Sequence, residues 1–367
     1  MLSVSLASSS TPLLDAAASH RALHAVVGSF VADAASMPLH WIYNTSKVAQ
    51  LVATAGGDPA FFPTPSCPYY DYPFGEQSPY GQQSLLYLKA LAQSIGGGKG
   101  WSDDVPSALE SDYFASYRPG GLCKTACGAC YQDGSTKGFV ANELKGLRWP
   151  SCGANDTQAN AIAHMPALVA RFAGQGAALL DRVAALTRVT QNTDEAVAFA
   201  LAAARILESA ILYGSDGSDA EGGVAAPHLR ARGAVRAAVQ AMKDPHRAHP
   251  MPQDGRLAAR IEALLTPTAL ARSNFDVVQE VGQACDYPYN LLSGAHLIAQ
   301  GAPSYADAVG QRILAGGDSC SANMWNGAVF GALAADAGGL PSGWLAKLTH
   351  ADAVASSAKL LLREATG

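Results

Sequence analysis

Apolar residues recur at helical spacing along almost the whole chain, and this constrains the fold more than any other feature. In residues 193–213, Val197, Ala200, Leu201, Ala204, Leu207 and Ile211 make one stripe, the pattern of a helix with one face in a core. Leu23, Val26, Val27, Phe30, Val31 and Ala34 form another, ending near Met37-Pro38, where proline stops a helix. A third, with Leu85, Leu88, Ala92 and Ile95, starts from about Gln82 and ends at Gly96-Gly97-Gly98, a glycine-rich stop. The same period marks 104–116, 136–148, 157–173, 228–243, 254–265, 288–300, 303–314, 320–336 and 350–366. No convincing series of period-two strands interrupts these runs and no βαβ alternation is visible. The sequence therefore predicts an all-α fold, with no repeat at solenoid period.

At 367 residues and 49% hydrophobic, the chain can bury a large core; length alone fits one big domain or two ordinary ones. A net charge of −5 and a pI near 6.0 give no polybasic signature, so neither nucleic acid nor an anionic membrane is an expected partner. The longest apolar run, Ala196 to Ala204, is broken by Arg205, well short of the roughly 20 residues that span a bilayer. Residues 1–20 read as a disordered tail. Their Ser-rich start lacks acids before Asp15 and arginine before Arg21, which leaves an organelle transit segment open. Seven cysteines, an odd number without regular pairing spacing, point to a reducing compartment, hence a cytoplasmic protein, and not to a disulfide framework. Cys123, Cys127 and Cys130 share the spacing of a radical-SAM cluster motif. That chemistry normally sits on a β/α barrel, which this chain does not show, so three plain thiols are the simpler reading.

The strongest site candidate is Gly316-Gly317-Asp318-Ser319-Cys320-Ser321. Two glycines permit a tight turn, and the helical spacing that follows puts the polar run at a helix N-terminus, where backbone N–H groups and the dipole favour anions or an ionised thiol. For Cys320 a small residue filling space is the simpler reading; the alternative, if it lies in the first helical turn, is a thiolate nucleophile of lowered pKa with His40 or Asp318 as base. Asp33, set among apolar positions, must find a partner or ionise poorly. Residues 57–81 form an aromatic, proline-rich loop whose length suits a cover over a cleft, and 214–223 read as a Gly/Ser/Asp-rich loop. Gln82, Gln83, Asn155, Asp156, Gln191, Asn192, Asp194 and Glu195 are a dense polar set for so apolar a chain. Asn155 or Asp156, and Asn192 or Thr193, precede helical runs and would also serve as helix caps.

Several stretches together resemble the ADP-ribosylglycohydrolase family, from about Arg21 to the C-terminus. Gly28-Ser29-Phe30-Val31-Ala32-Asp33-Ala34 is similar to the family's opening Gly-x-x-x-Gly-Asp-Ala helix. Tyr80-Gly81-Gln82-Gln83-Ser84 stands where the family has Thr-Asp-Asp-Thr, and Gly316 to Ser321 resembles its Gly-Gly-Asp-Thr-Asp-Thr. Met37 to Tyr43, Asp133 to Lys137, Asn155 to Asn160 and Thr190 to Ala196 resemble the J-crystallin and selenoprotein J branch. The resemblance implies one domain over residues 21–367, a compact orthogonal helical bundle, and a two-magnesium cleft that cleaves ADP-ribose from an acceptor.

The departures decide the functional expectation. Gln82 and Gln83 replace the early carboxylate pair, and Cys320 replaces the second late carboxylate. Asp318 and the hydroxyl of Ser321 remain. Two Mg²⁺ ions carry four positive charges and prefer anionic oxygen, so one carboxylate, two amides and a thiol do not balance them. Thr157-Gln158-Ala159 replaces the family's Gly-Asn-Gly clamp, which removes the close backbone approach a phosphate needs. The expectation is a divergent member with no cofactor, whose Asp33, Gln82, Gln83, Asn155, Asp156, Gln158 and Ser321 line a polar pocket. It would serve as a ligand-binding or structural, crystallin-like pseudoenzyme, with an ADP-ribose-like molecule or a protein assembly as partner. The alternative is a metal-independent glycosidic-bond hydrolase with Asp318 as base or nucleophile and Cys320 orienting substrate.

Overall fold

The computed structural model describes residues 14–125, 128–214 and 227–363. The first helices are α1 (Ala16–Ser36), α2 (Thr45–Thr54), α3 (Pro79–Ile95), α4 (Val105–Tyr117), α5 (Gly134–Leu144) and α6 (Asn160–Ala163). Then come α7 (Pro166–Phe172), α8 (Ala177–Thr190), α9 (Asp194–Tyr213), α10 (Pro227–Lys243), α11 (Asp254–Ala263) and α12 (Pro267–Leu270). The chain closes with α13 (Asn274–Val281), α14 (Tyr287–Gln300), α15 (Tyr305–Leu314), α16 (Ser319–Ala334) and α17 (Ala351–Leu362). Two-residue strands β1 (Lys124–Thr125) and β2 (Gly128–Ala129) pair antiparallel. The fold is all-α.

At its centre α1 lies along α16, with α9, α3 and α14 around them. Glycine makes that crossing possible. A Cβ on Gly28 would sit 2.6 Å from the Gly327 carbonyl oxygen, and one on Gly327 would sit 2.4 Å from Cβ of Ala32. The backbones therefore touch, and Asp33 of α1 is delivered beside the first turn of α16. Gly327→Ala will lower unfolding free energy by about 2 kcal/mol: contacts this short against backbone put overpacking at the upper end, about 3 kcal/mol, of its usual range, and alanine's helix propensity returns about 1 kcal/mol. Gly233→Ala in α10, where a Cβ meets nothing within 4 Å, will instead stabilise by about 0.5–1 kcal/mol. Denaturant unfolding of the two variants checks both signs.

The structure corrects several expectations. The helix α1 begins at Ala16, inside the stretch read as tail, with Asp15 capping it by a 2.7 Å bond from the Ala18 N–H. The 157–173 pattern is two helices, α6 and α7, because Pro166 cannot continue the first. Two helical stretches, Ala16–Leu39 and Asp194–Tyr213, are long and apolar enough to cross a bilayer, against the reading that no run approaches that length. They are core helices here, with 89% and 78% of their apolar windows buried in the fold. Cys123 and Cys130 form a disulfide, against the expectation of free thiols, because the β1–β2 hairpin brings residues seven apart together. A disulfide removes both thiolates, so these two cannot join an iron–sulfur triad; Cys127, the N-terminal stretch 1–13 and most of the 214–223 loop lie outside the described residues.

Candidate functional site

Gly316 and Gly317 adopt φ of +74° and +68°, the left-handed region open to glycine at no steric cost. This turn pairs with the segment leaving α1. Trp41 N–H donates to the Gly317 carbonyl at 2.8 Å and Gly317 N–H to the Ile42 carbonyl at 2.9 Å. The clamp places His40 against Asp318, the N-cap residue of α16. An N-cap aspartate ordinarily binds its own helix's N–H groups, but Asp318 makes no such bond. Its Oδ1 meets His40 Nε2 at 2.6 Å, and its Oδ2 accepts from the Ser321 hydroxyl.

From there the bonds extend in both directions. Tyr70, in the aromatic loop, lies 2.7 Å from His40 Nδ1, and Asn290 Nδ2 donates to Ser321 Oγ at 2.5 Å. Burial holds the Tyr70 phenol well above its ordinary pKa and lowers that of His40, against the opposing bond from Asp318. A protonated phenol and a neutral imidazole fit one assignment: Tyr70 O–H donates to Nδ1, and Nε2–H donates to Asp318. Arg312, fully buried, donates to the carbonyls of Gly316 at 2.8 Å and Asp318 at 2.7 Å, locking the turn from behind. Tyr70 thus gives the 57–81 loop its covering role over His40. Trp41 stacks on His40 with centroids 4.3 Å apart, and Tyr69, Tyr80 and Tyr131 ring Trp41.

Asp33 and Cys320 lie on the other side of Asp318. Asp33 accepts from the Ser78 hydroxyl at 2.5 Å and the Ser78 N–H at 2.8 Å. Burial nevertheless drives its carboxyl from 3.8 up to about 7; the Ser78 bonds oppose the rise, while Asp318 and Glu76 add to it. A pKa raised on folding means stability that is full below the unfolded value and is lost as pH rises through the folded one. Between pH 4 and pH 8 the wild type will therefore lose about 4 kcal/mol relative to Asp33→Asn, which has no proton to give up there. Paired urea titrations across that range measure the difference, and the shared His40 contribution cancels.

Cys320 sits in the first turn of α16, as expected, but is wholly buried, its S–H directed at the Asp33 carbonyl 3.6 Å away. Burial first, then Asp33 and Asp318, hold the thiol well above its usual pKa. This weighs against the thiolate alternative and favours the space-filling reading. A helix terminus contributes on the order of 1 kcal/mol, less than the cost of ionising a sulfur without water beside carboxylates.

The early glutamine pair diverges. Gln83 is buried and donates to Asp133 Oδ2 at 2.9 Å, while its Oε1 accepts from Asn160 at 2.7 Å and faces His164 Nε2 at 3.1 Å. Gln82 accepts from Tyr72 at 3.3 Å and lines a cavity of about 400 Å³ with Leu86, Lys89, Cys123 and His350. Neither glutamine is bonded to Asp318. A third group stands beside them: Gln158 holds the Ser135 N–H at 3.0 Å and donates to Cys285 Sγ at 3.2 Å, and Asp156 and Gln191 close around it. Asn155 is exposed.

Asn192, Asp194 and Glu195 do not reach the cleft; the first two bind Arg188 and the third Arg256. The capping alternative holds for Thr193, which accepts from the Ala196 N–H at 3.0 Å, and fails for Asn155 and Asp156, since Ala159 precedes α6. Tyr70, Asp133, Asn160, His164 and Asn290 join the site without having been marked as site residues by the sequence. Asp133 had a signal, as an aspartate before Gly134 with helical spacing after it.

The profile of the ADP-ribosylglycohydrolase family matches residues 14–367. The chain belongs to that family. Crystallin J1A of Tripedalia cystophora is 26% identical over 358 residues, covering 94% of this chain and 97% of its own. Crystallin J1B of the same animal is 30% identical over 206 residues, 53% of this chain and 60% of its own. A solved structure described as an ADP-ribosylglycohydrolase-related protein complex shares the fold, with a TM-score of 0.57 at 18% identity over 94% of this chain and 98% of that one.

Membership makes the metal question specific. Of the positions the family resemblance assigns to magnesium, Gln82 faces the hairpin cavity, Gln83 is held by Asp133 and Asn160, and the Cys320 thiol is turned to a carbonyl. Asp318 has both oxygens engaged and Ser321 donates its proton to one of them. Hard cations want several free anionic oxygens converging on one point. These residues do not fit a magnesium pair.

Proposed function

We propose that the chain is a non-catalytic ADP-ribosylglycohydrolase-like protein whose cleft serves structure, in a role of the crystallin kind. The observation that carries this reading is the engagement of both Asp318 oxygens by buried His40 and Ser321, with neither residue more than 1% exposed. A carboxylate so held neither coordinates a metal nor faces a glycosidic carbon, which weighs equally against the metal-independent hydrolase. The protein offers packing, and its partner is an assembly of protein chains.

One feature favours ligand binding as a second reading. Trp41 Nε1, Tyr80 Oη and Asn290 Oδ1 are buried without a hydrogen-bond partner among the described residues, and such atoms cost stability unless something meets them. Incubation with ADP-ribosylated peptide and Mg²⁺, followed by chromatography for free ADP-ribose, tests the main reading. The expected result is no release above buffer. A thermal melt with millimolar ADP-ribose separates the two readings: no shift supports packing alone, and ligand at about 100 times its Kd would add about 2.7 kcal/mol.

A further inference from the structure

Away from the cleft, three donor groups meet where α4, α5 and the segment after Pro150 pack against α8. Glu110, Glu143 and Cys152 each bring a ligand atom to one place, all within 4.8 Å of one another. The residues are 5%, 4% and 0% exposed. Gathering two carboxyls and a thiol out of water is costly unless they are partnered, and the partners present are incomplete. Trp149 N–H donates to Glu110 Oε2 at 3.1 Å, and Cys152 S–H points to the Val189 carbonyl at 3.3 Å. Arg148 reaches Glu143 Oε2 at 2.7 Å and stands 4.0 Å from Glu110 Oε1, but its side chain is 59% exposed. The other oxygen of Glu143, Oε1, is buried with no hydrogen-bond partner.

We propose that Glu110, Glu143 and Cys152 form a Zn²⁺ site. The donor set chooses the metal. Zinc accepts thiolate and carboxylate together in a tetrahedral shell, whereas magnesium and calcium reject sulfur. The charges also close: three anionic donors are balanced by one Zn²⁺ and the neighbouring Arg148. The site is separate from the cleft, because Asp133 caps the start of α5 and Glu143 lies near its end, about 15 Å along the axis. Its donors come from two helices and a loop, so the ion would tie α4 to α5 and to the segment whose Ala154 pairs with Gln191.

The full chain, loaded with Zn²⁺ and dialysed against metal-free buffer, is analysed by plasma mass spectrometry, and Co²⁺ is used as a spectroscopic substitute. The expected result is one Zn²⁺ per chain, a raised melting temperature, and a thiolate-to-cobalt charge-transfer band. That band will vanish in Cys152→Ser and persist in Cys67→Ser. Both Cys152→Ser and Glu143→Gln will lose on the order of 100-fold or more in Zn²⁺ affinity, at least what is lost when groups merely supporting a ligand are removed. Wild-type protein without stoichiometric zinc overturns the proposal, and that measurement does not depend on any variant folding. Unchanged affinity in Cys152→Ser or Glu143→Gln overturns it equally.

Discussion

Asp318→Ala will lower the free energy of unfolding by about 3–5 kcal/mol, the cost of breaking a buried ionic or hydrogen-bonded pair by removing one partner. The alanine leaves His40 Nε2 and the Ser321 hydroxyl facing each other across an empty space, both wholly buried. It also removes the carboxylate that raises the pKa of Arg312, whose burial lowers it to about 10. His40, Asp318 and Ser321 are all buried, so each lost bond leaves a polar group without its partner. The sign distinguishes the two readings of the site. Catalytic residues commonly cost stability, and removing one tends to leave a protein unchanged or more stable. A structural Asp318 does the opposite. Equilibrium urea unfolding at pH 7 reads the difference, and a change under about 0.5 kcal/mol would return Asp318 to the list of working acids.

Restoring the family's carboxylates will not restore a metal site. In the triple variant Gln82→Asp, Gln83→Asp and Cys320→Asp, the second change sets a carboxylate beside Asp133, which now accepts from Gln83 at 2.9 Å. The third sets one against Asp33 and Asp318, the groups that already push the Cys320 thiol upward. Each buried like-charge contact costs about 3–5 kcal/mol when uncompensated. A domain's whole stability is about 5–15 kcal/mol, so the triple variant will be largely unfolded at neutral pH. Gln82→Asp alone, at a half-buried position on the hairpin cavity, will be tolerated within about 1 kcal/mol. Circular dichroism with and without 10-fold excess Mg²⁺ over protein checks both statements. A triple variant that folds on adding Mg²⁺ would show that charge alone had been lost.

The helices were legible in the sequence because burial on one face writes its period into the residues. The stripes of α1, α3, α9 and α16 all appear where they were expected. The stripe of α8, with Leu179, Val183, Leu186 and Val189 all buried, carries the same period, although 177–190 is not among the helical stretches expected above. The site was legible as a set of positions and not as a set of bonds. Gly316 to Ser321 reads as a turn into a helix, and it is one. Whether Asp318 points out to a ligand or in to His40 depends on the Ile42–Gly317 bridge, a contact between residues 275 positions apart that no local pattern records. Cys320 left two readings open for a related reason: its place in the helix is local, and its burial against Asp33 is not. Neighbouring Gln82 and Gln83 look equivalent in sequence and point to different surroundings because a helix turns about 100° per residue.

Calorimetric titration of the unmodified protein with Mg²⁺, repeated with Mn²⁺, tests the central claim most directly. The cleft described here predicts no saturable heat up to millimolar metal at pH 7.5. A binding isotherm with a micromolar Kd and a stoichiometry near two ions per chain, lost in Asp318→Asn, would contradict it.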